Sequence, residues 1–179
     1  RWIDAYLNYG DSLKKLGRLD EAIATYEKAV AINPKDGRIY NNWCVVHVIK
    51  QDYAEAIAKF QKCIEYDPDA VTAYSRAAEM LERQGKLQLA LEKYNQMFAR
   101  KKPVSARVHN NCGNLLIKMG RFEAAVQFIK KAVSLKPEVA AFHNNCGAAY
   151  NHLGAFNEAI SCLNKAIQLN PGFGDAYAN

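Results

Sequence analysis

Residues 106–137 read ARVHNNCGNLLIKMGRFEAAVQFIKKAVSLKP, and residues 140–171 read AAFHNNCGAAYNHLGAFNEAISCLNKAIQLNP. Laid one over the other they align without a gap. His-Asn-Asn-Cys-Gly begins at His109 and again at His143, and Gly120 matches Gly154, Ala125 matches Ala159, and Pro137 matches Pro171. Outward from this pair the same beat continues. Ala22, Ala56, Ala90, Ala125 and Ala159 are separated by 34, 34, 35 and 34 residues, and Pro34, Pro68, Pro103, Pro137 and Pro171 by 34, 35, 34 and 34. Gly17, Gly85, Gly120 and Gly154 keep time, with Gln51 where a further glycine would stand. Three residue types in phase exclude coincidence and make the chain a repeat protein. Cys63 to Met97 is still 34 residues, so the one extra residue falls between Met97 and Pro103.

Each period carries two helical stripes. Tyr6, Tyr9, Gly10 and Leu13 form one, and Leu19, Ala22, Ile23, Tyr26, Ala29 and Val30 form the next, at the spacing of one buried helix face. The alanines let two helices approach closely. The glycine supplies a left-handed cap after the first helix. The proline forces its predecessor (Asn33, Asp67, Lys136 or Asn170) out of helical geometry. The expected unit is helix, tight turn, helix, short loop, repeated over 3–36, 37–70, 71–105, 106–139 and 140–173. Residues 174–179 open a sixth repeat or a capping helix, with Tyr177 where Tyr6 and Tyr40 sit. The chain starts at Arg1 rather than Met and stops without a polar cap, so it reads as an excerpt of a longer protein.

Composition narrows the rest. Half the residues are hydrophobic, which excludes a disordered linker, and no apolar run is long enough to span a membrane. The five cysteines are odd in number, lack a CxxC pair and sit on apolar helical positions, where a free thiol behaves as a small hydrophobe. Reduced core thiols point to an intracellular compartment, the cytoplasm first. The net charge of +6 concentrates in the middle: residues 71–105 carry seven Lys/Arg against three Asp/Glu, and 106–139 carry six against two. That imbalance suggests an acidic partner near the third and fourth repeats.

The pattern of Tyr/His, a small residue four later, then Gly, Ala, an apolar residue, Ala and Pro closely resembles the tetratricopeptide repeat. The likeness covers residues 3–173. Departures are Cys44 and Ala78 for the first-helix glycine, Cys63 and Met97 for alanine, and Gln51 for the turn glycine. The resemblance implies an all-α fold, a right-handed superhelical solenoid of helix-turn-helix repeats whose first helices line a concave groove for ligands.

Groove-side polar residues follow from that frame. Two residues after each Tyr/His anchor stand Asn8, Asn42, Arg76, Asn111, Asn145 and Asn179, with Asn41, Asn110 and Asn144 beside three of them and Asn114 further along the same helix as Asn110. Asparagine costs a helix about half a kcal/mol relative to alanine, so its recurrence calls for a use. A primary amide both donates and accepts, and a row of them pairs with an extended peptide backbone whatever its side chains. The row resembles the asparagine ladder of O-linked N-acetylglucosamine transferases, and is similar to the amides by which peroxisomal targeting-signal receptors hold a C-terminal peptide. Duplication copying an asparagine onto a wetted face is the other reading. Arg76, with Arg38 and Arg107 on groove-side positions, either forks onto a ligand carboxylate or phosphate or, in the case of Arg76, pairs with Glu79 one turn on.

Other chemistry is not expected. The dicarboxylate clamp of chaperone-binding family members has no match, since its first-repeat positions hold Leu7 and Asp11, and later windows begin with Asn41 and Val45 or Ser75 and Glu79. His109-x-x-Cys112 and His143-x-x-Cys146 suggest zinc, but equivalent positions of successive repeats lie about 10 Å apart, too far for four bonds of about 2.0–2.3 Å. His47 and His152 have no convergent nucleophile or carboxylate. Arg100-Lys101-Lys102 lacks interleaved aromatics, so nucleic acid is not the expected partner. No phosphate loop or HExxH occurs, and no cofactor or metal is expected. The sequence therefore reads as a non-enzymatic scaffold holding a peptide or partner protein. It leaves open a substrate-recognition arm of a larger enzyme, such as a glycosyltransferase, and self-association through an uncapped C-terminal edge bearing Phe173 and Tyr177.

Overall fold

The computed structural model describes residues 2–172, which form ten α-helices and no strand. In chain order they are α1 (Trp2–Lys15), α2 (Leu19–Ile32), α3 (Gly37–Ile49), α4 (Tyr53–Tyr66), α5 (Val71–Arg83), α6 (Leu87–Phe98), α7 (Ala106–Lys118), α8 (Phe122–Leu135), α9 (Ala140–His152) and α10 (Phe156–Leu169). The expected sixth repeat at 174–179, with Tyr177 and Asn179, lies outside the described residues, as does Phe173. Two compact units are present, Arg1–Lys102 and Pro103–Asn179, and their boundary falls at the end of the stretch that holds the extra residue.

The turns follow local backbone chemistry. Gly17, Gly85, Gly120 and Gly154 all have φ between 72° and 76°, and Gln51 takes φ 60° in their place. Glutamine thus holds a left-handed conformation that costs a residue with Cβ about 1–2 kcal/mol. Among the described residues Lys101, in the irregular stretch, is the other such residue, at φ 54°. Before the prolines, Asn33, Asp67, Lys136 and Asn170 have φ between −134° and −147° and ψ between 81° and 93°, off the helix as a following ring demands.

Within each unit, hairpins pack on their neighbours. The five periodic alanines of the second helices are fully buried. Four residues on come Tyr26, Phe60, Tyr94 and Ile129, also fully buried, and each contributes about 1.5–3 kcal/mol by leaving water. The first-helix glycine is required by contact. A Cβ on Gly113 would lie 2.4 Å from the Ile129 Cγ1 and 3.3 Å from the Ala125 carbonyl oxygen. First helices of successive repeats also touch, α1 with α3 in one unit and α7 with α9 in the other.

The Tyr/His anchors have a structural task. The Tyr40 hydroxyl donates to the Pro34 carbonyl at 2.9 Å, and the Tyr74 hydroxyl donates to the Pro68 carbonyl at 3.3 Å. His143 Nε2 donates to the Pro137 carbonyl at 2.8 Å, which fixes the Nε2–H tautomer. Each anchor latches the loop that precedes its own helix, and so sets where the polar residues two positions later emerge.

Candidate functional site

In the first unit Asn8, Asn42 and Arg76 come from α1, α3 and α5, one residue per first helix. Asn8 is exposed, while Asn42 and Arg76 are half-buried. Among the described residues none of these three side chains has a hydrogen bond or ion pair, so Arg76 is not tied to Glu79. Beside them, the Asn41 Oδ1 is sealed from solvent without a protein donor. Arg38 is differently placed. Its guanidinium forks onto Asp36, with Nη2 at 2.7 Å, and its Nη1 reaches Asp4 at 2.9 Å. Those hydrogen bonds hold the Asp36 carboxyl below the usual carboxylate range and push the guanidinium still higher. Arg38 is therefore occupied by two carboxylates of its own chain.

In the second unit the amides are internal. Asn110 and Asn144 are each only 7% exposed. The Asn145 Nδ2 donates to the Asn110 Oδ1 at 2.9 Å, bracing α9 against α7. Asn111 and Asn144 are also engaged within the molecule. Asn114 is half-buried on α7, and Arg107 is exposed near the start of the same helix. The structure thus keeps the expected register of amides within each unit but gives the two sets different states, open in the first and braced in the second.

Each unit also carries an open cavity that sequence reading did not find. One, of about 650 Å³, lies between α2 and α4 with α3 as its floor, and is lined by Val30, Tyr40, Trp43 and Lys59 among others. The other, of about 630 Å³, lies between α8 and α10 with α9 as its floor, and its lining includes Val133, His143, Cys146 and Cys162. Those four pairs are equivalent repeat positions. In the first cavity the Lys59 ammonium sits 4.1 Å over the Trp43 ring, a cation–π contact.

The thiols differ as well. Burial pushes the Cys44, Cys63 and Cys112 thiols up, Cys63 to about 11 and Cys112 to about 12, so they stay protonated and inert. Cys162 is only half-buried, and a hydrogen bond from Cys146 brings it down to about 7 against the opposing effect of burial, with Lys130 adding a smaller pull. The expectation of five core thiols holds for four of them. Among the described residues no group of three or more His, Cys, Asp and Glu lies close enough to hold a metal ion. His109 is half-buried, and desolvation, aided by Lys131, lowers its pKa.

Family comparisons fit this architecture. Models of the tetratricopeptide repeat match residues 3–36, 47–106, 106–139 and 140–173. The chain belongs to the tetratricopeptide repeat family. Its fold is therefore that of an all-α helical-repeat solenoid, and solved repeat structures agree. A MamA crystal structure superposes with a TM-score of 0.85 at 22% identity, covering 94% of this chain and 92% of that one. YrrB, described as a repeat protein of this family with an unusual peptide-binding site, gives 0.82 at 22% identity, covering 97% of this chain and 89% of that one. In sequence, the human protein O-mannosyl-transferase TMTC3 is 24% identical over 135 residues, 74% of this chain and 15% of that protein. The chain spans 11% to 15% of the length of the first curated relatives it matches. None of the described helices of this tetratricopeptide repeat chain is long and apolar enough to cross a membrane.

Proposed function

We propose that this tetratricopeptide repeat chain is a protein-interaction scaffold that holds an extended peptide or partner segment along its first-helix faces. The carrying observation is the unpartnered polar set of the first unit. Asn8, Asn42 and Arg76 stand one per first helix, with donors and acceptors that no other described residue uses. Amides offer a backbone both halves of its hydrogen-bonding pattern. Arg76, uncommitted to any carboxylate, favours a ligand with an acidic group. Asn111, Asn145, Asn114 and Arg107 of the second unit are the secondary contacts of this reading. The peptide-binding site named for YrrB supports it by analogy of fold alone.

A second reading makes the chain the recognition arm of a larger enzyme. It is favoured by the likeness to an O-mannosyl-transferase of which the chain spans only 15%.

The test is selection of peptides from a random displayed library on the immobilised chain, followed by affinity measurement on variants whose circular dichroism matches wild type. Asn42→Ala with Arg76→Ala removes about two hydrogen-bonding groups, and each is worth about 1 kcal/mol, so affinity should fall roughly tenfold or more. Equal affinity for the variant and the parent would remove the first-helix face from consideration.

A further inference from the structure

The cavity of the second unit contains a chemical pair that the peptide-holding reading does not use. Cys146 on α9 and Cys162 on α10 both line it, and their thiols are hydrogen-bonded to each other. Cys146 is 3% exposed and forms the floor, while Cys162 stands half-buried at the wall. The charged and titratable groups around them come from all three helices: Lys130 from α8, His143 and Tyr150 from α9, and Glu158 and Lys165 from α10. Lys130 favours the thiolate at both cysteines, and Glu158 opposes it at Cys162. Neither Cys44 nor Cys63, which also neighbour each other, lines either cavity, and both are sealed in the core of the first unit. Cys112 holds the register of Cys146 one repeat earlier, but Phe128 stands there in the register of Cys162.

We propose that this cavity is a redox-modification site that admits a low-molecular-weight disulfide bearing carboxylates and converts the Cys146–Cys162 pair into an α9–α10 disulfide. Lys130 and Lys165 attract the carboxylates. The Cys162 thiolate attacks one sulfur of the incoming disulfide, forms a mixed disulfide, and releases one small thiolate. That thiolate takes the proton of Cys146, whose sulfur then attacks Cys162 and displaces the second small thiolate. The two protein thiols lose two electrons and two protons, and the small disulfide gains both and leaves as two thiols. Cys162 is the attacking residue because it is accessible and its hydrogen-bonding partner stabilises the thiolate; Cys146 is the resolving residue because it is buried against it.

The experiment uses the reduced full chain, oxidised glutathione as probe, and non-reducing peptide mapping by mass spectrometry over time. The expected course is a glutathione adduct on Cys162, then a Cys146–Cys162 cross-linked peptide, with Cys44, Cys63 and Cys112 unmodified. Modification at Cys162 should exceed that at each buried cysteine by about tenfold or more. Cys146→Ser keeps a hydroxyl donor and should arrest the reaction at a stable Cys162 adduct; Cys162→Ser should abolish both products. In the wild type the adduct rate should rise with pH through about 7 as the thiolate forms, and Cys146→Ala should move that rise upward towards the ordinary thiol range. Cystamine, whose two ends are cationic, should react more slowly than glutathione disulfide. Uniform modification of all five cysteines, or a wild-type adduct on Cys162 that never resolves, would overturn the assignment.

Discussion

The two units carry the same cavity in the same place, floored by a first helix and walled by two second helices, yet they fill it with different chemistry. In the first unit the floor residue is Trp43 and its partner on the wall is Lys59, whose ammonium lies over the indole. In the second the floor residue is Cys146 and its partner is Cys162. Equivalent positions thus hold a large aromatic closed by a cation in one unit and a hydrogen-bonded pair of thiols in the other. The repeat frame decides that these two side chains meet. It leaves open whether they pack or react.

That contrast is most easily broken at its bulkiest member. Trp43 is 8% exposed, so Trp43→Ala should lower unfolding stability by about 3–5 kcal/mol in urea denaturation, as large-to-small core changes do. Cys146→Ala removes a single sulfur and should cost about 1 kcal/mol by the same measurement. Similar losses for the two would mean that the floors contribute alike, and that the comparison rests on shape alone.

The amides give the second contrast. Asn145→Ala leaves the buried Asn110 oxygen without its donor, which should destabilise by about 1–3 kcal/mol. Asn42→Ala breaks no internal bond and improves helix propensity, so a gain of about half a kcal/mol is expected. Reversal of that order in thermal unfolding would show that the open and braced states are not as drawn.

The turns sharpen the comparison further. Gln51→Gly should stabilise the first unit by about 1 kcal/mol by relieving the left-handed glutamine, offset in part by added freedom in the unfolded chain. The reverse change at Gly154, to Gln, should destabilise the second unit by a comparable amount.

The smallest effect is that of pH. Tyr40 and Tyr74 latch loops of the first unit, His143 latches one in the second, and His109 holds the same register one repeat earlier. Burial lowers the folded pKa of His109 below its unfolded value, so below about 6.5 the unfolded chain takes up the proton first. The stability contribution is complete above that pH and is lost as the pH falls. Denaturation midpoints should decline between neutral and mildly acidic pH, and His109→Gln should flatten part of the slope.

Much of this architecture is legible in the amino-acid sequence. Alanine, glycine and proline mark the repeat because each answers a backbone or contact requirement that recurs wherever the hairpin recurs. Even Gln51 was visible as a glycine position. The candidate site was readable only in register. Asn42 and Asn145 occupy equivalent positions, and nothing in either residue tells that one is open while the other reaches Asn110. That depends on rotamers and on which residue the neighbouring helix presents. Arg38 looked available until Asp36 and Asp4 closed around it, and Asp4 lies a full repeat away in sequence. Cys162 was hidden for the same reason: its partner is on another helix, while the spacing that drew notice placed Cys146 with His143.

The brace between Asn145 and Asn110 has a further consequence for recognition. A ligand that meets Asn42 or Asn8 adds its hydrogen bonds to a surface that had none to give up. A ligand that meets Asn145 must either use what the brace leaves over or break it, and breaking it trades one bond for another with little net gain. Under the proposed peptide-holding function the first unit would act as a permissive reader, responsive to any strand that offers a backbone. The second would impose a threshold, answering only to a partner that brings enough complementary groups at once to replace what it displaces.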